Sequence, residues 1–196
     1  ESAGGAALAV RTDVADTLSV ETMAKATLER FGRIDVLVNN AAVHVSLQRR
    51  PFWEIPDDEW DAVMRVNIGG YFRAARAVVP AMRKAGWGRI INISSAATMI
   101  GLTNYLHYVT TKSAAIGMSR SMARELGGSG VTVNAVLPGQ ILTKVENPGQ
   151  TDDLIERVRV RQIVPRSGTP DDVMGMLLYL ASPASDFVTG QSFVVD

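Results

Sequence analysis

Ile34-Asp35-Val36-Leu37-Val38-Asn39-Asn40-Ala41-Ala42 is the stretch that decides the fold of this 196-residue chain. Residues 34 to 38 form an apolar run with a single acidic residue near its start. A run of this length and composition is typical of a strand that is buried on both faces. Such a strand predicts a parallel sheet with helices on both sides, and it delivers two asparagines and two alanines at its carboxyl end.

Apolar strands and helical patterns alternate along the rest of the chain. Strands are predicted at residues 6–10, 89–93, 131–137 and 192–195, and helices at about 20–31, 57–84, 108–126 and 170–181. No internal repeat or linker divides this pattern. We therefore predict a doubly wound α/β fold in a single domain over residues 1–196.

Composition argues against several classes of function. The 20 basic residues balance the 20 acidic ones, and no cluster of Lys or Arg is present that would follow a nucleic-acid backbone. The apolar runs are far shorter than the ~20 residues of a membrane span, and no secretory signal pattern is found. We therefore expect a cytoplasmic protein that binds neither nucleic acid nor membrane. No metal site is expected, because the chain has no cysteine and only two histidines, His44 and His107.

Tyr108 and Lys112 carry the strongest chemical signal in the chain. Residues four apart share a helix face, so the ammonium of Lys112 is expected beside the phenol of Tyr108. A nearby cation favours the ionised form of a phenol, whose ordinary pKa is about 10. Ser95, which follows a predicted strand, would hold the reacting oxygen. The pair alone is also compatible with two surface residues on one helix face. Other motifs in the chain are needed to distinguish a catalytic pair from such a surface pair.

Polar and turn residues follow several predicted strands. They are Asp13, Asn39, Asn40, Ser95 and the pair Pro138 and Gly139. The carboxyl ends of parallel strands lie along one edge of the sheet, where α/β domains bind their ligands. The pattern therefore predicts a ligand crevice at this edge. Residues 144–161 are polar enough to form a mobile helical flap over it.

Taken in chain order, these motifs closely resemble the short-chain dehydrogenase/reductase family. The matching segments are residues 12–14, 39–42, 66–67, 93–95, 108–112, 133–139, 165–170 and 189–191. The resemblance implies a Rossmann-like oxidoreductase domain that uses NAD or NADP to interconvert alcohols and ketones. It does not distinguish the two cofactors. The compact branch of the family is implied, because the chain after Tyr108 is too short for an added substrate domain.

The resemblance also implies a role for each residue of the site. Tyr108 would be the general acid/base, Lys112 would lower its pKa and hold the nicotinamide ribose, and Ser95 would fix the substrate oxygen. Asn67 would interrupt its helix and hold a water that links Lys112 to solvent. The alternatives are a surface amide for Asn67 and a strand-end cap for Ser95.

The residues that the resemblance assigns to the cofactor extend beyond Tyr108 and Lys112. Asp13 is also compatible with a cap on the following helix. Ala42 stands where the family usually has glycine. The assigned residues are Asp13 and Val14 at the adenine, Asn40 and Ala41 at the adenosine ribose, and Pro138, Gly139, Ile141 and Thr143 at the nicotinamide.

The chain departs from the family pattern at both ends. No segment has the G-x-x-x-G-x-G spacing of the family's first turn, whose amides hold the pyrophosphate. The first two strands and helices of the pattern and the last glycine pair have no counterpart either. We therefore expect a fragment of a longer product, an unpartnered strand at residues 6–10 and weak cofactor binding by these residues alone.

The residues are compatible with two substrate classes and with one alternative function. The motif set is similar to 3-oxoacyl-acyl-carrier-protein reductases, while residues 105–112 are similar to secondary-alcohol dehydrogenases that act on aromatic or cyclic ketones. Trp53, Tyr105 and residues 140–145 are expected to line a mostly apolar pocket. For His107 we expect pocket lining or a surface position rather than proton transfer. The alternative from another class is a non-catalytic α/β subunit that has lost its cofactor loop.

Two of the predicted helices carry more apolar positions than one contact with a sheet covers. The family pairs such helices across a two-fold axis, so a homotetramer is expected for the complete protein. The apolar positions are Trp60, Met64, Phe72, Val79, Met118, Met122, Ala123 and Leu126.

Overall fold

The computed structural model describes residues 4–145, 151–160 and 162–196. Its centre is a parallel sheet of four strands in the order β1-β2-β3-β4. Ile91 of β2 lies opposite Val38 of β1 and Asn134 of β3, so neighbouring strands end together at one edge. The doubly wound α/β fold is therefore confirmed. The strands are β1 (Val36–Asn39), β2 (Gly88–Ile93), β3 (Val131–Pro138) and β4 (Ser192–Val195).

Helices cover both faces of this sheet. The described residues form α1 (Thr17–Phe31), α2 (Asp57–Asn67), α3 (Gly69–Ala85), α4 (Ala97–Ile100), α5 (Leu106–Glu125), α6 (Asp152–Arg159) and α7 (Pro170–Ala181). On one face α3 and α5 lie against the strands, with α1 packed on α3. On the other face α7 contacts β2, β3 and β4.

Ile90 and Ile91 show how one strand serves two cores. Side chains of successive strand residues point to opposite faces. Ile90 packs with Val78 and Met82 of α3, whereas Ile91 packs with Leu180 of α7. Because both faces are buried, the strand is a continuous apolar run and does not alternate between apolar and polar residues.

Local signals fix the helix ends. The Asp16 side chain accepts a hydrogen bond from the N–H of Leu18 at 3.1 Å and begins α1, and Gly32 ends that helix with a φ of 76°. Thr169 and Asp172 form a reciprocal capping box at the start of α7.

Two predicted elements differ from the structure. Residues 6–10 adopt neither helix nor strand, because no described segment lies beside them to complete a ladder. The long helix predicted at 57–84 is two helices, since the backbone is distorted at Ile68 (φ −108°) immediately after Asn67. The interruption expected at Asn67 is therefore present.

The segment predicted as a flap is described only in part. Residues 152–159 form α6, while residues 146–150 and 161 lie outside the described part of the chain. The described residues include no helix both long enough and apolar enough to cross a membrane.

Candidate active site

The predicted ligand edge is formed by the segments that follow β1, β2 and β3. The N–H of Ser94 donates to the carbonyl of Val136 at 2.7 Å, and the N–H of Ala96 donates to Pro138 at 2.9 Å. These bonds join the turn after β2 to the end of β3. The edge is therefore a continuous surface on which side chains from different strands meet.

Tyr108 and Lys112 lie on one face of α5, as their spacing predicts. Both are nearly buried, at 9% and 4% exposure, and the Nζ of Lys112 is 5.8 Å from the centre of the Tyr108 ring. Lys112 Nζ donates to the carbonyl of Ile93 at 2.8 Å and to the hydroxyl of Tyr71 at 3.3 Å. The lysine therefore spans the space between α5 and the end of β2.

Burial governs the pKa of both side chains. It raises the pKa of Tyr108, and a hydrogen bond with Ser95 opposes this effect without cancelling it. It lowers the pKa of Lys112 from 10.5 to about 8. The direction for Tyr108 is opposite to the one expected from a neighbouring cation, because the phenol is desolvated and the lysine is directed towards Ile93 and Tyr71. At neutral pH the phenol is consequently protonated.

Asn67 is buried at the end of α2 and holds the loop that follows β1. Its Nδ2 donates to the carbonyl of Val43 at 3.1 Å and to the hydroxyl of Thr111 at 3.2 Å, and its Oδ1 accepts from the N–H of Val43 at 2.7 Å. The side chain is therefore not a surface amide. Both of its N–H groups are used to join the β1 loop to α5, and its predicted water contact stays a prediction.

The residues expected at the nicotinamide follow β3. Gly139 donates its N–H to Val195 at 2.9 Å, and a side chain at this position would collide with the carboxylate of Asp196. Ile141 forms an isolated parallel bridge with Gly168, and Thr143 is exposed. The segment from Pro138 onward thus lies along the predicted edge.

The residues expected at the adenosine lie at the other end of this edge. Asn40 and Ala41 are exposed directly after β1. Asp13 is exposed, and its Oδ1 accepts from the N–H of Ala15 at 2.8 Å, so it stabilises a turn while Asp16 caps the helix. Val14 packs against Gly70 of α3, where an added Cβ would lie 2.9 Å from the Val14 side chain.

The donor set at this edge fits a nicotinamide ribose. An ammonium has three N–H groups, and within the described residues two of those on Lys112 are taken by Ile93 and Tyr71. The third is available for a ribose hydroxyl. The exposed Asn40 and Ala41 leave the end of β1 open to a bound group.

The sequence did not point to Tyr71 or His44 as residues of this site. Tyr71 holds Lys112, and His44 lies with its ring 4.8 Å from that of Tyr108. Tyr105 stacks on Tyr108 at a centroid distance of 4.8 Å and donates its hydroxyl to the carbonyl of His44 at 2.9 Å. The contacts of Tyr71 and His44 join distant parts of the chain, whereas Tyr105 lies three residues from Tyr108.

His107 differs from its expected position. It is fully buried, so it lies neither on the surface nor in the wall of an open pocket. Trp53 is 72% exposed on a short 3₁₀ helix (Phe52–Glu54). Tyr105, which was also expected to line the pocket, contacts Tyr108, and so does His44.

Comparison with known proteins agrees with the geometry of the site. The family model described as "Enoyl-(Acyl carrier protein) reductase" matches residues 1–196. The short-chain reductase protein NovJ of Streptomyces niveus is 38% identical over 100% of this chain and 75% of its own length. A 3-oxoacyl-[acyl-carrier-protein] reductase of Synechocystis is 38% identical over 98% of this chain and 76% of its own length.

A solved structure shares the fold over most of the chain. It is a gluconate 5-dehydrogenase from Burkholderia cenocepacia in complex with NADP and tartrate, with a TM-score of 0.87 and 34% identity over 94% of this chain and 71% of its own. These relatives support the enzyme and not the alternative of a non-catalytic subunit. The chain belongs to the short-chain dehydrogenase/reductase family and is an NAD(P)-dependent oxidoreductase.

Proposed function

We propose that Tyr108 exchanges a proton with the oxygen of an alcohol or ketone substrate. The observation that carries this proposal is the buried phenol of Tyr108, which is protonated at neutral pH and lies on one face of α5 with the buried Lys112. A general acid must be in its protonated form and within reach of the oxygen that receives the proton. Tyr108 meets the first condition at neutral pH, and its place at the edge favours the second.

In the direction of reduction, the O–H bond of Tyr108 breaks and its proton goes to the carbonyl oxygen, which becomes the hydroxyl of the product. Ser95 donates a hydrogen bond to the same oxygen and orients the carbonyl. A bound nicotinamide supplies the hydride for this reaction. Oxidation of the alcohol follows the same path in reverse, with Tyr108 taking the proton.

The remaining residues of the edge bind and orient the cofactor in this proposal. Lys112 directs its third N–H to the nicotinamide ribose, and Pro138, Gly139, Ile141 and Thr143 line the nicotinamide. Asn40 and Ala41 lie at the adenosine ribose, with Asp13 and Val14 at the adenine. Asn67 acts by joining the β1 loop to α5. It also holds a water that links Lys112 to solvent.

Two substrate classes are compatible with the relatives and the site. A 3-oxoacyl thioester is favoured by the named reductases, whereas a cyclic or aromatic ketone is favoured by the aromatic wall of His44 and Tyr105 beside Tyr108. The intact enzyme should oxidise NADH or NADPH in the presence of a ketone from at least one of these classes. The loss of cofactor absorbance measures this reaction. Lack of turnover with both classes and both cofactors, in a folded preparation that binds the cofactor, would contradict the proposed reaction. A cytoplasmic location stays a prediction.

The intact enzyme is proposed to form a homotetramer through α3 and α5. Phe72 is 47% exposed, and Met118 and Met122 are partly exposed. Ala123 and Leu126, however, belong to the core of the chain, so the apolar excess on α5 is smaller than predicted. Isologous contacts between these helices would cover the exposed positions.

Met122→Asp tests this assembly. A buried carboxylate in an isologous contact is costly, so the variant should have a smaller mass by light scattering at micromolar concentration. Met99→Asp, at an exposed position of α4, is the control and should leave the mass unchanged. An intact wild-type enzyme that is a stable monomer would rule out the tetramer.

A further inference from the structure

The buried side chain of His107 makes two hydrogen bonds that the proposed chemistry does not use. Its Nδ1 accepts from the backbone N–H of Tyr108 at 3.0 Å, and its Nε2 lies 3.1 Å from the Oε1 of Glu59. The first i to i−4 bond of α5 runs from Val109 to Tyr105, so the N–H of Tyr108 precedes the helical ladder. The His107 ring therefore supplies an acceptor to the start of the catalytic helix.

The two bonds fix the tautomer of His107. Because Nδ1 accepts a hydrogen bond, the proton of the neutral ring is on Nε2, which donates to Glu59. The other carboxylate oxygen of Glu59 accepts from the NH2 of Arg50 at 3.2 Å. The same NH2 reaches Gln48 at 3.1 Å, and the backbone N–H of Arg50 donates to Asn104 at 3.1 Å. His107 is thus joined through Glu59 to the loop between β1 and α2.

This loop also forms the aromatic wall of the site. His44 lies in it, with its ring against that of Tyr108, and its carbonyl accepts the hydroxyl of Tyr105. A shift of the loop would move His44 relative to Tyr108, while a shift of the first turn of α5 would move Tyr108 itself. The two bonds of His107 act on these two parts separately.

We propose that His107 is a positioning residue with two separable functions. Through Nδ1 it fixes the first turn of α5 and so the position of the Tyr108 phenol, which controls turnover. Through Nε2, Glu59 and Arg50 it holds the loop at residues 43–56 as the substrate-side wall, which controls substrate binding. The inference deepens the proposed function, since it rests on Tyr108 as the reacting group.

Two near-isosteric substitutions separate the functions in the intact enzyme with saturating cofactor. His107→Asn can present its amide oxygen where Nδ1 stands but is too short for Glu59. His107→Gln can present its amide nitrogen where Nε2 stands but offers no acceptor to Tyr108. Loss of one buried hydrogen bond corresponds to roughly tenfold in rate or affinity. We expect His107→Asn to raise KM about tenfold with kcat within about twofold, and His107→Gln to lower kcat about tenfold with a smaller change in KM.

Glu59→Gln is the conservative partner variant. It keeps an amide oxygen for His107 and removes the charge shared with Arg50, so KM should rise less than in His107→Asn, with kcat unchanged. Thermal unfolding of each variant separates folding from positioning. If the Asn and Gln variants change kcat and KM in parallel, or if both keep wild-type values, His107 is a structural core residue and the proposal is wrong. Failure of the proposed function is a different result, since it would be seen as turnover that survives Tyr108→Phe.

Discussion

Lys112 is a charged residue that the fold buries within the site. The side chain is 4% exposed, and the two groups that accept hydrogen bonds from its ammonium are a backbone carbonyl and a phenol, neither of which carries a formal charge. An ammonium in such surroundings loses hydration that hydrogen bonds replace only in part. Burial accordingly lowers its pKa to about 8. Lys112 therefore gives up its proton at a lower pH than an exposed lysine does.

This shift predicts a pH dependence of stability. Between about pH 8 and 10 the unfolded chain keeps a proton that folded Lys112 has released, so the unfolded state binds more protons. The free energy of unfolding should therefore rise with pH, by at most about 1.4 kcal/mol per unit. Denaturant unfolding between about pH 7.5 and 9.5 measures it, below the range in which the buried tyrosines titrate. Lys112→Met should flatten the profile; an unchanged slope in that variant would assign the effect to other groups.

Residue types and spacing predicted part of this site, and contacts across the chain supplied the rest. The helix period was sufficient to place Lys112 beside Tyr108. It carried no information on Tyr71, which bonds to Lys112 from 41 positions away, or on Glu59, which meets His107 from 48 positions away. Burial depends on such contacts and sets the direction of the Tyr108 pKa. The prediction considered only the nearby cation and gave the opposite direction.

At the scale of elements, the turn from α5 to β3 depends on a close approach of two backbones. Gly128 and Gly130 both have positive φ, at 79° and 76°. The space around Gly128 is open, whereas a Cβ at Gly130 would overlap the carbonyl oxygen of Gly86, in the turn that precedes β2. The start of β3 therefore reaches the start of β2 only because residue 130 has no side chain.

Gly130→Ala should destabilise the protein more than Gly128→Ala. Both substitutions place a Cβ in the left-handed region, which costs roughly 1–2 kcal/mol. Only the change at 130 adds a steric overlap with backbone that cannot move without disturbing two strands. Denaturant unfolding of the two variants measures the difference. An equal decrease in the free energy of unfolding of both variants would show that the close approach to Gly86 does not restrict residue 130.

Element positions were predictable where strong local signals coincide. The helix at 170–181 and the strand at 192–195 agree with the structure, because a capping box, proline and apolar runs all agree there. The strand predicted at 6–10 was wrong, since an apolar run forms a strand only beside a partner. The break at Ile68 could not be located from periodicity, because apolar residues continue on both sides of it.

At the scale of the molecule, buried polar side chains join the layers beneath the site. Asn39 at the end of β1 donates to Asn92 of β2 at 2.8 Å, and Asn92 donates to Ser119 of α5 at 2.8 Å. Ser94 donates to the carbonyl of Lys112 at 2.6 Å. A buried amide that lacks a hydrogen-bond partner destabilises the folded state. These hydrogen bonds therefore fix α5 relative to the strand ends. Helix α5 is thereby held against the sheet.

The layered architecture followed from the sequence, but this polar connection did not. Continuous apolar strands alternating with helices predict a parallel sheet covered on both faces, and the strand ends then share one edge. The same reasoning treats Asn39 as a residue of the crevice, whereas the structure buries it between β1, β2 and α3. The register between neighbouring strands determines which strand-end residues face the crevice. The sequence of a single strand does not reveal that register.

The most direct test of the account is the turnover of Tyr108→Phe in the intact enzyme with its cofactor and a ketone that the wild type reduces. The substitution keeps the ring and its stacking but removes the hydroxyl that carries the proton. We therefore predict a cofactor affinity within about twofold of the wild type and a turnover lower by at least ~10²-fold. Tyr105→Phe is the matched control, because it removes a hydroxyl from the adjacent stacked ring and should keep turnover within roughly an order of magnitude. Near-normal turnover of Tyr108→Phe would contradict the proposed proton transfer.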